Sequence, residues 1–405
     1  MSKQGDVFRV VSEPAADRPA RVEELRKLGF TWADQDGQPY WIDQLVTIDK
    51  GTYERLVHAA TLLWTVFDKA ARFVHGRRDL YELLSVPEVL WDGLDRLPLS
   101  EPGRLSRYAR FDFSVSSGGG IRLLELNADT PTAYVEASVA TPWLCAQHAA
   151  EGVRCVNGRM PELLRRAWAA EQPEAACCAG YGTHLEDSGT IDMLVRHSGR
   201  AMRCLDTLSL SIDEGVLKDG DGQPIERIFM LYPKEWMGID DGGEALAYAA
   251  ETGHVAISNS YHAVLLQSKG LQAVIWGLHE IGVPLFSPEE HEAIEAYMLP
   301  TYNEPVLAGN YVSKAMFGRE GGSVELYGAK GELDARDADG YDTSRWFRRV
   351  YQARADLPEV GLHAEPMRLL TGMFVIDGEP CGIVGRAGGL ITGNASHFVA
   401  MGVRE

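Results

Sequence analysis

Arg110, Asp112, Glu125 and Asn127 stand in one stretch, RFDFSVSSGGGIRLLELNADTPT, residues 110–132. Arg110 to Ser114 alternates polar and apolar, the period of a half-buried strand. Ser116 to Gly120 offers turn residues tolerant of positive φ, and Ile121 to Leu126 reads as the return strand. Residues two apart on a strand share a face, so Arg110 goes with Asp112, and Glu125 with Asn127. A hairpin brings Asp112, Glu125 and Asn127 together: two carboxylates and an amide oxygen, hard donors suited to Mg²⁺. The plainer alternative is a hydrogen-bonded pair of strand acids, followed by a turn that Asp129 caps.

A second stretch, NYVSKAMFGREGGSVELYG (310–328), reads as strand, Gly-rich loop, strand. Neither GxxxxGK[ST] nor GxGxxG occurs, and both of those must open a helix. A Gly hairpin can instead fold over phosphates, with backbone N–H groups and Lys314 supplying positive field. The alternative is a plain hairpin with an exposed Lys314. Near the C-terminus, Met373–Ile376, Asp377-Gly378 and CGIVGR predict two strands ending at Arg386, followed by AGGLITGN. Arginine suits a bidentate grip on phosphate or carboxylate, although a lone strand-end arginine is commonly structural.

The elements that must position these residues follow from spacing. Residues 1–20 are polar and read as a loose arm; Val22–Leu28 reads as a short helix, and the Asp36-Gly37 turn as a hairpin leading to core candidates Tyr40, Trp41 and Ile42. Asp49–Val74 places Leu56, Ala59, Ala60, Leu63, Val66, Phe67 and Ala70 on one helical stripe. Helices are expected at 79–95, at 134–150 with an interruption at Pro142, and at 161–170. A buried strand at Ala175–Tyr181, an acidic loop, a helix capped by Ser188 or Thr190, and strands at 202–206 and 228–232 give an α/β rhythm. Helices are expected again at 245–250 and 261–279, with Lys269 within the latter.

Composition bounds the function. The chain has 405 residues, 45% hydrophobic and 24% charged, the profile of a globular protein with a large core. A net charge of −19 argues against nucleic acid, which is gripped through Lys and Arg. No apolar run is long enough to span a bilayer, and the N-terminus lacks a secretory h-region. Cys145, Cys155, Cys177, Cys178, Cys204 and Cys381 form no CxxC pair, which predicts reduced thiols in a cytoplasmic protein and no zinc site.

RFDF, LLELNADTPT, LYPKEWM, QSKGLQAVIW, YVSKAMFGREGG and GRAGGLITGN follow one another along the chain. As a set they resemble the glutathionylspermidine synthase family and its short acid–amine ligase subgroup, from about residue 38 to the C-terminus. The resemblance implies an α/β ATP-grasp fold with a preceding pre-ATP-grasp-type lobe, and an ATP- and Mg²⁺-dependent synthetase. It implies one synthetase unit over residues 1–405. About 300–405 would carry the phosphate loop and the C-terminal ATP-site strands, and the length leaves no room for the amidase domain of larger members. Asp112, Glu125 and Asn127 match the family's metal ligands. Lys269, Lys314 and Gln352 match ATP-binding residues, as do Gly318, Arg319, Gly321 and Gly322 of the phosphate loop. Arg110 and Arg386 match arginines at the reacting acyl centre, Arg110 also touching ATP. Thr130 and Thr132 match substrate-binding hydroxyl residues, and Glu186 and Asp187 an acidic pair near the substrates.

Four positions depart from the family pattern. Leu126 replaces an aromatic, Ala315 a Pro, Ala387 an acid and Leu231 a glutathione-binding Thr. The departures spare the ATP and metal positions and touch the substrate positions. Glutathione and spermidine are therefore not carried over as the substrates. The expected reaction is phosphorylation of a small carboxylate by ATP, then attack by an amine on the acyl phosphate. Two other functions fit the same residues: a ligase acting on a peptide or protein terminus, and a nucleotide-binding regulator without turnover.

Overall fold

A computed structural model of the chain describes every residue except 1–5, 12–16, 36, 171–175, 320, 338–341 and 364. A large mixed sheet carries the molecule. Its strands run in the order Phe8–Val10, Trp41–Asp49, His397–Arg404, Glu379–Gly388, Glu365–Ile376, Tyr108–Val115, Ile121–Asn127. Trp41–Asp49 and His397–Arg404 pair in parallel, so the two ends of the sequence meet inside the sheet. Trp41 to Thr47 is buried throughout, which is the burial of a strand covered on both faces. Helix Lys50–Val74 covers one face. Asp49 caps it by accepting from Thr52 N at 2.9 Å. Its predicted apolar stripe is buried, and Phe67 meets Phe111 of the sheet edge-on with ring centroids 5.6 Å apart. Each such side chain contributes about 1.5–3 kcal/mol of burial.

A smaller parallel sheet runs Ala256–Ser258, Arg227–Met230, Ala176–Gly180, Arg203–Asp206. This is the α/β rhythm expected, although Ala175 lies outside the described residues. Strand order reverses between Ala176–Gly180 and Arg227–Met230, the place where such sheets open a crevice beyond their carboxyl ends. An antiparallel sheet orders Thr301–Tyr302, Arg349–Ala353, Tyr311–Ala315, Glu325–Tyr327 and Leu333–Arg336.

Several expectations are corrected. Phe8–Val10 of the supposed arm pairs with Trp41–Asp49, and the first helix already starts at Arg18, where Asp17 caps it. The helix expected over 79–95 is two helices, Arg78–Leu83 and Trp91–Arg96, with Ser85 at positive φ and Pro87 between them. Pro142 does not interrupt 134–150. It lies inside a helical run, continuous from Tyr134 to Gln147, that changes from a π turn over Glu136–Ala140 to α-helix over Thr141–Gln147. Neither Ser188 nor Thr190 caps a helix. The helix is Leu185–Ser198 with His184 at its N-cap, so Glu186 and Asp187 form its first turn rather than a loop.

The stretch 261–279 is also divided. Lys269 N donates to Met316 O at 2.9 Å, and this breaks the ladder between helices Ala263–Gln267 and Gly270–Glu280. Strand Glu379–Gly388 continues two residues past Arg386. The Asp377-Gly378 turn has positive φ at both residues, 51° and 76°, as a type I′ hairpin needs. Asp36, of the other predicted Asp-Gly turn, lies outside the described residues. Cys145, Cys178 and Cys381 are buried, while Cys204 is exposed. Among the described residues no helix is long and apolar enough to cross a membrane.

Candidate functional site

The hairpin of Tyr108–Val115 and Ile121–Asn127 sets one side of the site. Arg110 faces Asn127 and Asp112 faces Glu125 in register, and the register then slips between Asp112 and Phe113. Leu124 is the extra residue of this bulge. The slip changes which side chains point inward: Ile121 and Leu123 are buried before it, Leu126 and Ala128 after it. Glu125 and Asn127 are thereby turned to the same side as Asp112. Asn127 Nδ2 donates to Asp112 Oδ2 at 3.1 Å and to Glu125 Oε1 at 3.3 Å.

Arg110 Nε donates to Asp112 Oδ1 at 2.6 Å and Nη2 to Oδ2 at 3.0 Å, while Nη1 reaches the carbonyl of Thr132 at 2.7 Å. Burial disfavours the guanidinium charge, but Asp112 overrides that and raises its pKa. The pair needs Gly372, which faces Asp112 across the next strand. A Cβ there would lie 2.9 Å from Arg110 Cδ. Among the described residues no cluster of three His, Cys, Asp or Glu side chains gathers to hold a metal. A metal here would use two carboxylates and, with its amide turned, Asn127 Oδ1. Those hard, partly neutralised oxygens fit Mg²⁺.

Two lysines oppose this acidic corner. Lys314, expected exposed in the plain-hairpin alternative, is buried. Its Nζ donates to the carbonyl of the bulged Leu124 at 3.1 Å and to Gln352 Oε1 at 2.8 Å. Gln352 in turn donates to Gln272 Oε1 at 3.0 Å and Thr301 Oγ1 at 3.2 Å. Burial depresses the Lys314 ammonium to about 8, Glu125 pulling the other way. Lys269 Nζ lies 3.1 Å from Glu125 Oε2 and donates to Gly318 O at 2.7 Å. Burial would raise the Glu125 carboxyl, yet Lys269 and Lys314 outweigh it and hold it at about 2.

The Gly-rich loop docks on this corner. Gly321 has φ +73°, and a Cβ there would lie 2.7 Å from Thr392 O of the second Gly-rich loop. Gly322 N donates to Arg319 O at 2.7 Å, closing the turn, and Glu320 lies outside the described residues. Arg319 Nη1 donates to Thr130 Oγ1 at 2.8 Å, and its Nε to Glu235 Oε1 at 2.8 Å.

Part of this set lines a cavity of about 380 Å³, within the size range of small-molecule sites. Arg110, Asp112, Glu125, Asn127, Thr130 and Thr132 line it together with Arg319, Gly321, Arg386 and Asp187. A narrower apolar pocket of about 110 Å³ adjoins it, sharing Glu125, Gly321 and Thr392 and reaching Lys314. A third cavity of about 770 Å³ shares Thr132, His184 and Arg386 and contains Glu186. Glu186 and Asp187 thus open onto different cavities, Arg386 standing at the junction of both. Arg386 Nη2 donates to Gly393 O at 2.9 Å. Thr132 engages Arg110 through its carbonyl rather than its hydroxyl. Gly318 and Gly322 shape the loop and line none of these three cavities.

Two buried acids escaped the sequence reading. Glu235 holds Arg319. Glu136, in the π turn, accepts from Trp32 Nε1 at 2.8 Å and Tyr40 Oη at 3.1 Å, and burial raises its pKa. A π turn is a common mark of functional positions, but nothing in the alternation of EASVA reveals it.

Comparison with known proteins agrees with this architecture. A family model described as "Glutathionylspermidine synthase preATP-grasp" matches residues 12–404. A Haemophilus influenzae protein named "Putative acid--amine ligase" is 25% identical over 401 residues, covering 94% of this chain and 96% of the relative. The solved structure of a glutathione synthetase-like effector from Globodera pallida, in its apo form, superposes with a TM-score of 0.55 at 13% identity. It covers 97% of this chain and 98% of that one, a likeness of fold.

Proposed function

The chain belongs to the glutathionylspermidine synthase preATP-grasp family, and on that premise we propose that it is an ADP-forming, ATP- and Mg²⁺-dependent ligase joining a small carboxylate to an amine. One observation carries the reading: Lys269 and Lys314 converge on Glu125 while Lys269 also holds the Gly-rich loop. Fixed cations, carboxylates and a closing loop are what phosphoryl transfer asks of a protein, because its catalysis is mostly positioning and charge neutralisation.

In this reading the apolar pocket beside Lys314 takes the adenine end of ATP. Lys269 and Lys314 hold phosphate oxygens; Asp112, Glu125 and Asn127 would hold Mg²⁺, which would supply further neutralising charge. The substrate carboxylate lies between Arg110 and Arg386. Its oxygen attacks the γ-phosphorus, ADP leaves, and an acyl phosphate results. The docked loop excludes water, which would hydrolyse that mixed anhydride. The amine then attacks the acyl carbon, Arg110 and Arg386 stabilise the oxyanion, phosphate departs, and Asp187 takes the amine proton. Thr130 and Thr132 contact the carboxylate substrate, and Glu186, in the adjoining cavity, faces the incoming amine. The enzyme so proposed is cytoplasmic and acts on small-molecule substrates.

The test is ADP release across a panel of amino-acid and small-peptide carboxylates combined with amines. ADP formation that requires both partners, with an amide identified by mass spectrometry, is the expected result. ATP binding without such turnover anywhere in the panel overturns the reading in favour of a nucleotide-binding regulator.

A further inference from the structure

Glu235 has no exposed surface, yet it carries a carboxylate. Its partner is Arg319: Nε donates to Oε1 at 2.8 Å, and Nη2 lies 2.7 Å from the same oxygen. The second oxygen, Oε2, is buried and has no hydrogen-bond partner among the described residues. A carboxylate in that position is costly unless paired. Burial pushes its pKa up and Arg319 opposes the shift. The neighbouring Lys234 is buried as well, its ammonium paired with Asp129 and its N–H donating to Asp129 Oδ2 at 3.0 Å.

The arrangement is a double grip. Lys234 holds Asp129 directly, and Glu235 holds the next residue, Thr130, through the guanidinium of Arg319. The Gly-rich loop is tied on its entering limb by Lys269 on Gly318 and packs Gly321 against Thr392 on its leaving limb. The Arg319 tie borders the reaction cavity, which Thr130, Trp236 and Arg319 line. With both contacts on a single oxygen, the pair lacks the parallel fork that makes arginine–carboxylate contacts strongest. Such a tie can hold a loop and still release its guanidinium to a more highly charged ligand.

We propose that Glu235 is a positioning residue for the Gly-rich loop: it takes the Nε edge of Arg319, docks the loop beside the cavity before nucleotide binds, and leaves Nη1 directed at Thr130 and the reacting groups. The consequence for turnover rests on the ligase reading; the docking does not, and the two are measured separately.

Docking is read by limited trypsin digestion of the full chain without nucleotide, following the new terminus after Arg319 by mass spectrometry. Arg319 held by Glu235 cannot enter the protease. Glu235→Ala should therefore speed that cleavage about tenfold, the effect of losing one contact to a charged group, with cleavage elsewhere unchanged. Equal rates in wild type and variant overturn the proposal, and so does acceleration at every site together, which reports general loosening. If Glu235→Ala does not fold, Glu235→Gln keeps the shape and removes the charge, and the same comparison decides. Turnover supplies the second arm. Glu235→Ala should lower kcat/KM for ATP about tenfold in the wild-type background and have no further effect in Arg319→Ala. Additive losses overturn the proposal. A wild-type chain with no ATP-dependent ligation fails the ligase reading instead, and the digestion result still decides the docking.

Discussion

Lys269 Nζ stands 3.1 Å from Glu125 Oε2 and donates at 2.7 Å to the carbonyl of Gly318, so one ammonium ties the acidic hairpin to the Gly-rich loop. The relationship depends on the helix break before Gly270, because a continuous helix would not direct Lys269 N to Met316 O. The loop's position and the charge state of Glu125 are thereby linked. A cation that leaves Glu125 for a phosphate also frees the loop limb at Gly318.

Glu125→Gln removes the charge at the centre of this arrangement while keeping the side chain's shape. Turnover should fall about 10²–10³-fold, the scale of losing several kcal/mol of charge stabilisation in the transition state. The fold should persist, because Glu125 sits at a sheet edge beside the cavity rather than in the apolar core. ADP-release kinetics beside a thermal melt check both statements. Wild-type turnover in the variant would remove Glu125 from the metal site.

Lys314 gives a pH signature. Burial lowers its pKa from the ordinary 10.5 to about 8. The ammonium is present below that value and lost above it. kcat/KM for ATP should therefore be level near neutrality and fall as pH rises through about 8. Lys314→Arg should abolish this alkaline limb, since arginine stays protonated throughout, even where its overall rate is lower. A pH–rate profile of both proteins tests it; an alkaline limb unchanged in the variant would assign the titration to another group.

Much of this framework was legible because it is local. Alternation over 110–126 announces the hairpin, and the stripe from Leu56 to Ala70 announces the long helix. What was not legible depends on partners far along the chain. The bulge at Leu124 hides in LLELN, where two consecutive leucines read equally well as a regular strand. The break at Lys269 is set by Met316, and the burial of Lys314 by Gln352 and Leu124. Nothing in LYPKEWM singles out Glu235 until Arg319 closes on it. The strand in the supposed arm is likewise invisible in three residues, FRV, until Trp41–Asp49 offers it an edge.

Gln352→Glu tests whether Gln352 tunes Lys314. The amide oxygen accepts from Lys314 Nζ at 2.8 Å, and its nitrogen is satisfied by Gln272 and Thr301, whose polar groups can turn to donate instead. A carboxylate at that distance favours the charged ammonium by about 1–3 pKa units. The alkaline limb should move upward by at least about one unit, while affinity for ATP weakens because the positive charge is already compensated. The pH profile and a nucleotide titration read the two effects. A limb that stays in place would separate Gln352 from the control of Lys314.

Gly372→Ala separates positioning from stability at the other end of the site. Gly372 faces Asp112 in register, and a Cβ there would lie 2.8 Å from Val384 Cγ1, 2.9 Å from Arg110 Cδ and 3.3 Å from Asp112 Oδ1. Val384 is buried and cannot retreat, so Arg110 must swing and its paired contacts to Asp112, at 2.6 and 3.0 Å, must lengthen. Overpacking of this kind costs about 1–3 kcal/mol. The displaced guanidinium should also lower kcat, by about tenfold for each 1.4 kcal/mol of lost transition-state contact. Adding Val384→Ala removes one of the clashes but leaves the one with Arg110. The double variant should regain much of the lost thermal stability and little of the lost turnover. Recovery of both together would mean that Gly372 matters to packing alone and that Arg110 keeps its place without it.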